Sequence, residues 1–108
     1  QEVAGARLLL HEATFLCPED RDSLDDEEGG ATDGYGHVHS TVEEALRVAH
    51  EAEIENLVLY HISTRYTDAE IRDTIRREAQ KMNLRARVWA ALPRRIYWNL
   101  LGDKPIWE

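Results

Sequence analysis

The sequence has only one cysteine, Cys17, among its 108 residues. That excludes an internal disulfide and any zinc site built from thiolates alone, and it suits a reducing compartment such as the cytoplasm. Long hydrophobic runs are missing too. The longest, Val88 to Leu92, has five residues, far short of the roughly 20 that a membrane-spanning helix needs, so no membrane association is expected. No charged-then-apolar leader opens the chain, and its first residue is Gln1 rather than Met, which reads as the start of a fragment. Apolar residues themselves are not scarce. At 43% hydrophobic and 31% charged, the composition is that of one globular domain and not of a disordered segment.

Charge is unevenly distributed. From Glu19 to Asp33 eight acids face the single base Arg21, a local charge of −7 within a whole-chain charge of −8. From Arg65 to Arg95 the sign reverses, with nine bases against four acids. Such runs most often cover solvated helix faces, yet a basic C-terminal half can also draw in a phosphate-bearing substrate.

The hydrophobic pattern alternates between strand and helix periods. Ala6 to Leu10 is a short apolar run ending in His11 and Glu12, and is expected to be a buried strand. Glu19 to Gly36 has no periodicity and contains Gly29, Gly30, Gly34 and Gly36, so a long loop is expected, with the acidic stretch as its most mobile part. Ser40 or Thr41, with Glu43 or Glu44 three residues on, can cap a helix whose apolar stripe is Val42, Ala45, Leu46, Ala49 and Ala52. Asn56 to Ile62 reads as a second buried strand. Thr67 and Glu70 form another capping box before the stripe Ile71, Ile75, Ala79 and Met82. Leu84, Ala86, Val88 and Ala90 then alternate with Arg85, Arg87 and Trp89, the pattern of a third strand with one polar face. The order is that of an α/β protein, three strands alternating with two helices, followed by a C-terminal tail too apolar to be free.

Both apolar strands end in histidine, Leu10-His11-Glu12 and Tyr60-His61, and ligands of open α/β sheets gather at the carboxyl ends of strands. Between them Gly36-His37-Val38-His39-Ser40-Thr41 leads into a helix N-terminus, where backbone N–H groups favour an anion. One isolated histidine is most often a satisfied core or loop residue. Four placed in this way point instead to a site.

Three segments, Leu9-Leu10-His11-Glu12-Ala13-Thr14-Phe15, then Gly36 to Ala45, then Leu57-Val58-Leu59-Tyr60-His61-Ile62-Ser63-Thr64-Arg65-Tyr66, resemble successive motifs of the ribonuclease Z branch of the metallo-β-lactamase superfamily. They match its HEAT motif, its HST motif and its last metal-binding histidine, in the family's order. Tyr60 and Ile62 stand where the family usually has threonine and phenylalanine, and His37 is an additional histidine.

The resemblance implies that residues 1–108 are the C-terminal portion of an αββα sandwich. It also implies a zinc-dependent phosphodiester hydrolase, either a tRNA 3′-processing endonuclease or a relative acting on a cyclic nucleotide or other small phosphodiester. His61 would be a metal ligand, His39 the proton donor to the leaving oxygen, and Glu12 the carboxylate that orients His39. Arg65 would hold the phosphate, with Ser40 and Thr41 beside it. Two zinc ions would activate the attacking water.

The family's H-x-H-x-D-H motif, its further histidine and its bridging aspartate are absent from this sequence. Catalytic zinc generally takes three protein ligands plus water, so the chain alone is expected to be inactive and to need a missing N-terminal half as its partner. One alternative is a non-catalytic remnant that binds a partner. Another is a self-contained site made by Glu12, His37, His39 and His61. A homodimer is also expected, as is an uncovered apolar face involving Leu8, Leu10, Val58, Val88 and Trp98.

Overall fold

A computed structural model describes residues 8–25 and 39–108, the side chains of 22–25 excepted. Ala6, His37 and most of the acidic stretch lie outside the described residues, so the expected mobility of that stretch falls there too. The elements run β1 (Leu8–Glu12), α1 (Pro18–Asp25), α2 (Val42–Glu51), β2 (Asn56–Tyr60), α3 (Asp68–Met82) and β3 (Arg87–Ala90), followed by a short 3-10 turn at Leu100–Gly102. The three strands form one parallel sheet in the order β1-β2-β3, with Leu10 opposite Val58 and Val58 opposite Trp89. Successive crossovers that advance in one direction, each with the usual right-handed turn, place their helices on the same face. Accordingly α2 and α3 pack on each other and on that face.

The helix-side core follows the period-2 pattern. Leu57, Leu59, Val88 and Ala90 point inward and meet Val42, Leu46 and Ala49 of α2 and Ile71, Ile75 and Ala79 of α3, all buried. Both helices begin where the capping boxes were expected. Thr41 and Thr67 each accept from the backbone N–H three residues on, and Glu44 and Glu70 reach back to the capping residue's own N–H.

Several expectations are corrected. The acidic stretch is not a loop from its start, because Pro18 opens α1 at a position that requires no N–H and Glu19 and Asp20 complement the helix dipole in the first turn. The described residues therefore form three α-helices rather than two. Strand β1 is not buried on both faces: as the sheet edge it leaves Leu8 and Leu10 exposed, Leu10 by 62%. Strand β3 starts at Arg87 and not at Leu84, since Asn83 adopts a left-handed conformation (φ 54°) and Leu84 N–H returns to the Ala79 carbonyl at 3.0 Å, closing the end of α3.

Trp89 does not belong to a polar face. It is buried, and its indole N–H donates to the Asp103 carbonyl at 2.8 Å. Val58 and Val88 are likewise buried, whereas Leu8, Leu10 and Trp98 are the exposed members of the expected set. The tail is docked, as expected: Val88 N–H donates to the Trp107 carbonyl and Ile106 N–H to the Val88 carbonyl, both at 2.8 Å. Trp107 closes the same edge through its indole N–H to the Leu84 carbonyl at 3.0 Å.

Candidate functional site

Parallel pairing brings Glu12 level with Tyr60, so the residues that follow β1 and β2 emerge side by side. Their loops are stitched together by Ala13 N–H to the Tyr60 carbonyl (2.9 Å) and Ser63 N–H to the Thr14 carbonyl (3.0 Å). His61 lies between these two bonds with φ 60°, a left-handed conformation that costs a residue with a Cβ about 1–2 kcal/mol and is retained where surrounding bonds enforce it. The segment before α2 is stitched on in the same way, by Phe15 N–H to the Ser40 carbonyl (3.3 Å) and Val42 N–H to the Phe15 carbonyl (2.9 Å). His39 thereby reaches the same corner.

Glu12, His39 and His61 converge there, each offering a ligand atom within 4.8 Å of the others. The His39 and His61 rings have centroids 5.3 Å apart, and Phe15 meets the His39 ring edge-on at 6.4 Å. Glu12 receives donors on both oxygens: Ser40 N–H on Oε1, and Thr14 N–H (3.0 Å) and the Thr14 hydroxyl (2.6 Å) on Oε2. Burial raises the pKa of Glu12. Hydrogen bonds from Thr14 and Ser40, together with the charge of His39, outweigh it and leave the carboxyl below its ordinary range.

Glu12 Oε2 stands 3.7 Å from His39 Nδ1, an ion-pair distance rather than the hydrogen bond that the sequence led us to expect. The reason is that Thr14 already occupies this oxygen with both its N–H and its hydroxyl. His11 stays outside the cluster, donating from Nδ1 to the Glu12 carbonyl at 2.7 Å.

The remaining expected residues lie on the segments that lead away from this corner. Arg65 lies on the same loop as His61, exposed, with its N–H on the Ser63 hydroxyl at 3.3 Å. Ser40 is half-buried, whereas Thr41 is fully buried with its hydroxyl on Glu44 N–H at 3.3 Å. Two residues carry weight that sequence reasoning did not assign. Thr14 is one, since its hydroxyl also lies 2.9 Å from His61 Nδ1. The other is Arg21, which stood out only as the one base of the acidic run. It donates to the His39 carbonyl at 3.3 Å and to both oxygens of Glu44 at 2.9 and 3.1 Å, tying α1, the His39 segment and the start of α2 together.

The donor set suits zinc, which takes imidazole nitrogen and carboxylate oxygen. Among the described residues His61 Nε2 and both ring nitrogens of His39 make no hydrogen bond, while the Glu12 oxygens are already engaged. Two imidazoles and a carboxylate thus meet at the carboxyl end of the parallel strands of an α/β protein, where ligands of such sheets gather.

No family model matches the chain. Ribonuclease Z of Halalkalibacterium halodurans is 41% identical over 76 residues, 70% of this chain and 20% of that protein. Ribonuclease Z of Metallosphaera sedula is 46% identical over 66 residues, 61% of this chain and 18% of its own length. That of Thermococcus onnurineus is 44% identical over 63 residues, 58% of this chain and 16% of its length. The chain is ribonuclease Z-like, as its three motifs imply, and it spans about a fifth of the length of the first of these relatives.

Proposed function

We propose that this chain is the C-terminal part of a zinc-dependent phosphodiester hydrolase of ribonuclease Z type, which processes tRNA 3′ ends or cleaves a related phosphodiester such as a cyclic nucleotide. The observation that carries this reading is the convergence of Glu12, His39 and His61 on one corner, each contributed by a different ribonuclease Z-like motif. In the same reading residues 1–108 form one layer pair of a metallo-β-lactamase αββα sandwich. A missing N-terminal half completes the sandwich and supplies the further ligands for two zinc ions, and the whole acts as a cytoplasmic homodimer. In this reading the chain alone is not competent, because Glu12 and His39 serve the proton transfer, His61 is the one zinc ligand the chain supplies, and catalytic zinc needs three.

When bound, zinc supplies a Lewis acid and an activated water. His61 would hold it, through Nε2. His39 turns Nδ1 toward Glu12, which leaves Nε2 to give a proton to the leaving oxygen as the phosphorus–oxygen bond breaks. The anionic Glu12 stabilises the imidazolium before that transfer. Arg65 supplies the planar fork for the phosphate, and Ser40 a hydroxyl beside it. Thr41, buried beneath the site, acts on the substrate through the helix start that it caps.

A non-catalytic remnant that binds a partner is the second reading, and the exposed apolar side chains Leu8, Leu10 and Tyr60 favour it. Activity separates the two. The parent protein is expected to cut a tRNA precursor or a small phosphodiester, and Arg65→Ala to raise KM about tenfold or more, the size of a lost charge-assisted hydrogen bond, with zinc retained. Absence of hydrolysis on both substrates by zinc-loaded parent protein would establish the partner-binding reading instead.

A further inference from the structure

The buried hydroxyl of Thr14 lies between two groups of the site, 2.6 Å from Glu12 Oε2 and 2.9 Å from His61 Nδ1. A hydroxyl has one proton to give. The carboxylate of Glu12 only accepts, and both its oxygens already receive backbone N–H groups, from Ser40 and Thr14. Were the Thr14 proton directed at His61 instead, two acceptor oxygens would face each other at 2.6 Å with nothing between them, inside a half-buried site. The proton therefore goes to Glu12, and the threonine oxygen accepts from His61. That requires Nδ1 of His61 to carry the hydrogen.

We infer that Thr14 is a positioning residue: its hydroxyl, oriented by Glu12, fixes His61 as the Nδ1–H tautomer and so presents the bare Nε2 lone pair outward as the ligating atom. In water a histidine side chain prefers the opposite tautomer, with the proton on Nε2, where it would block coordination. Thr14 thus links the proton-donor half of the site to the metal half. Glu12 orients His39 directly and sets His61 through one intervening hydroxyl, over a sequence separation of 47 residues. Outer partners of this kind hold the ring orientation and tautomer of a metal-binding histidine, and their loss typically lowers metal affinity about 10- to 100-fold. The inference rests on the proposed role of His61 in holding zinc only for its consequence. The tautomer itself is a property of the metal-free chain.

Two-bond nitrogen–proton correlation spectra of the metal-free, 15N-histidine-labelled protein, recorded well above the imidazole pKa, read the tautomer of each ring. The wild type is expected to show His61 with Nδ1 protonated and Nε2 bare. Thr14→Ser, which keeps the hydroxyl, should preserve that pattern, and Thr14→Val, which keeps the shape, should shift His61 toward Nε2–H. In the parent protein Thr14→Val should weaken zinc binding about 10- to 100-fold by chelator competition, with Thr14→Ser close to wild type. A wild-type His61 protonated on Nε2 overturns the inference whatever the variants do, as does a Thr14→Val spectrum identical to wild type. A bare Nε2 in a parent protein that binds no zinc at His61 leaves the tautomer assignment standing and refutes the ligand role instead.

Discussion

Tyr66 places one hydroxyl between two parts of the chain, donating to Asp20 of α1 at 2.6 Å and accepting from Leu16 N–H at 3.1 Å. Burial, then the neighbouring Asp20 carboxylate, pushes its phenol up to about 12. Because the folded value is raised, this contribution to stability is complete below the unfolded value near 10 and is lost as pH rises through about 12. At neutral pH, Tyr66→Phe is expected to lower the unfolding free energy by about 1–3 kcal/mol in urea denaturation, since it takes the hydroxyl acceptor from the buried Leu16 N–H and one donor from Asp20. Unchanged stability would show that α1 is held by other contacts. At this scale the sequence was only partly legible. That Glu12, His39 and His61 converge was readable from motif order, whereas Thr14 and Arg21 act through partners that only the folded chain brings near.

Helix α3 was readable to the residue at its start, and α2 to within one residue between Ser40 and Thr41, because a capping box is a local device, complete within four positions of sequence. Helix α1 was not, since it has no apolar stripe and depends on Asp20 and Arg21 reaching Tyr66 and Glu44 elsewhere in the fold. Strand β3 began late for a similar reason: alternation from Leu84 continues through a helix end that the left-handed Asn83 sets. Glu44 is where elements meet. Burial raises its pKa, but the Thr41 N–H and the Arg21 guanidinium outweigh that and hold it below the ordinary carboxylate range. With the folded value depressed, its contribution is full above the unfolded value of about 4.5 and fades as pH falls through the lower folded value. Glu44→Gln should therefore reduce stability at neutral pH and flatten the acid limb of a melting-temperature profile below about 4.5. A variant whose acid limb matches wild type would mean that the carboxylate adds nothing to the cap.

For the molecule as a whole, the described residues cover the two faces of the sheet unequally. The helix side is closed by α2 and α3. On the opposite side Leu8, Leu10 and Tyr60 stay exposed while Val58 and Trp89 are buried, and beyond them Trp98 is 96% exposed. A second layer over that side is what the proposed sandwich requires, and a chain spanning about a fifth of its ribonuclease Z relatives leaves ample length for one. The division of roles at the corner formed by Glu12, His39 and His61 is decided by zinc content and turnover in the parent protein carrying His61→Ala or His39→Ala. His61→Ala is expected to lose zinc, while His39→Ala is expected to keep its zinc and lose at least about a hundredfold in turnover, the lower range for a general acid. Zinc lost from both variants would make His39 a ligand and contradict the assignment.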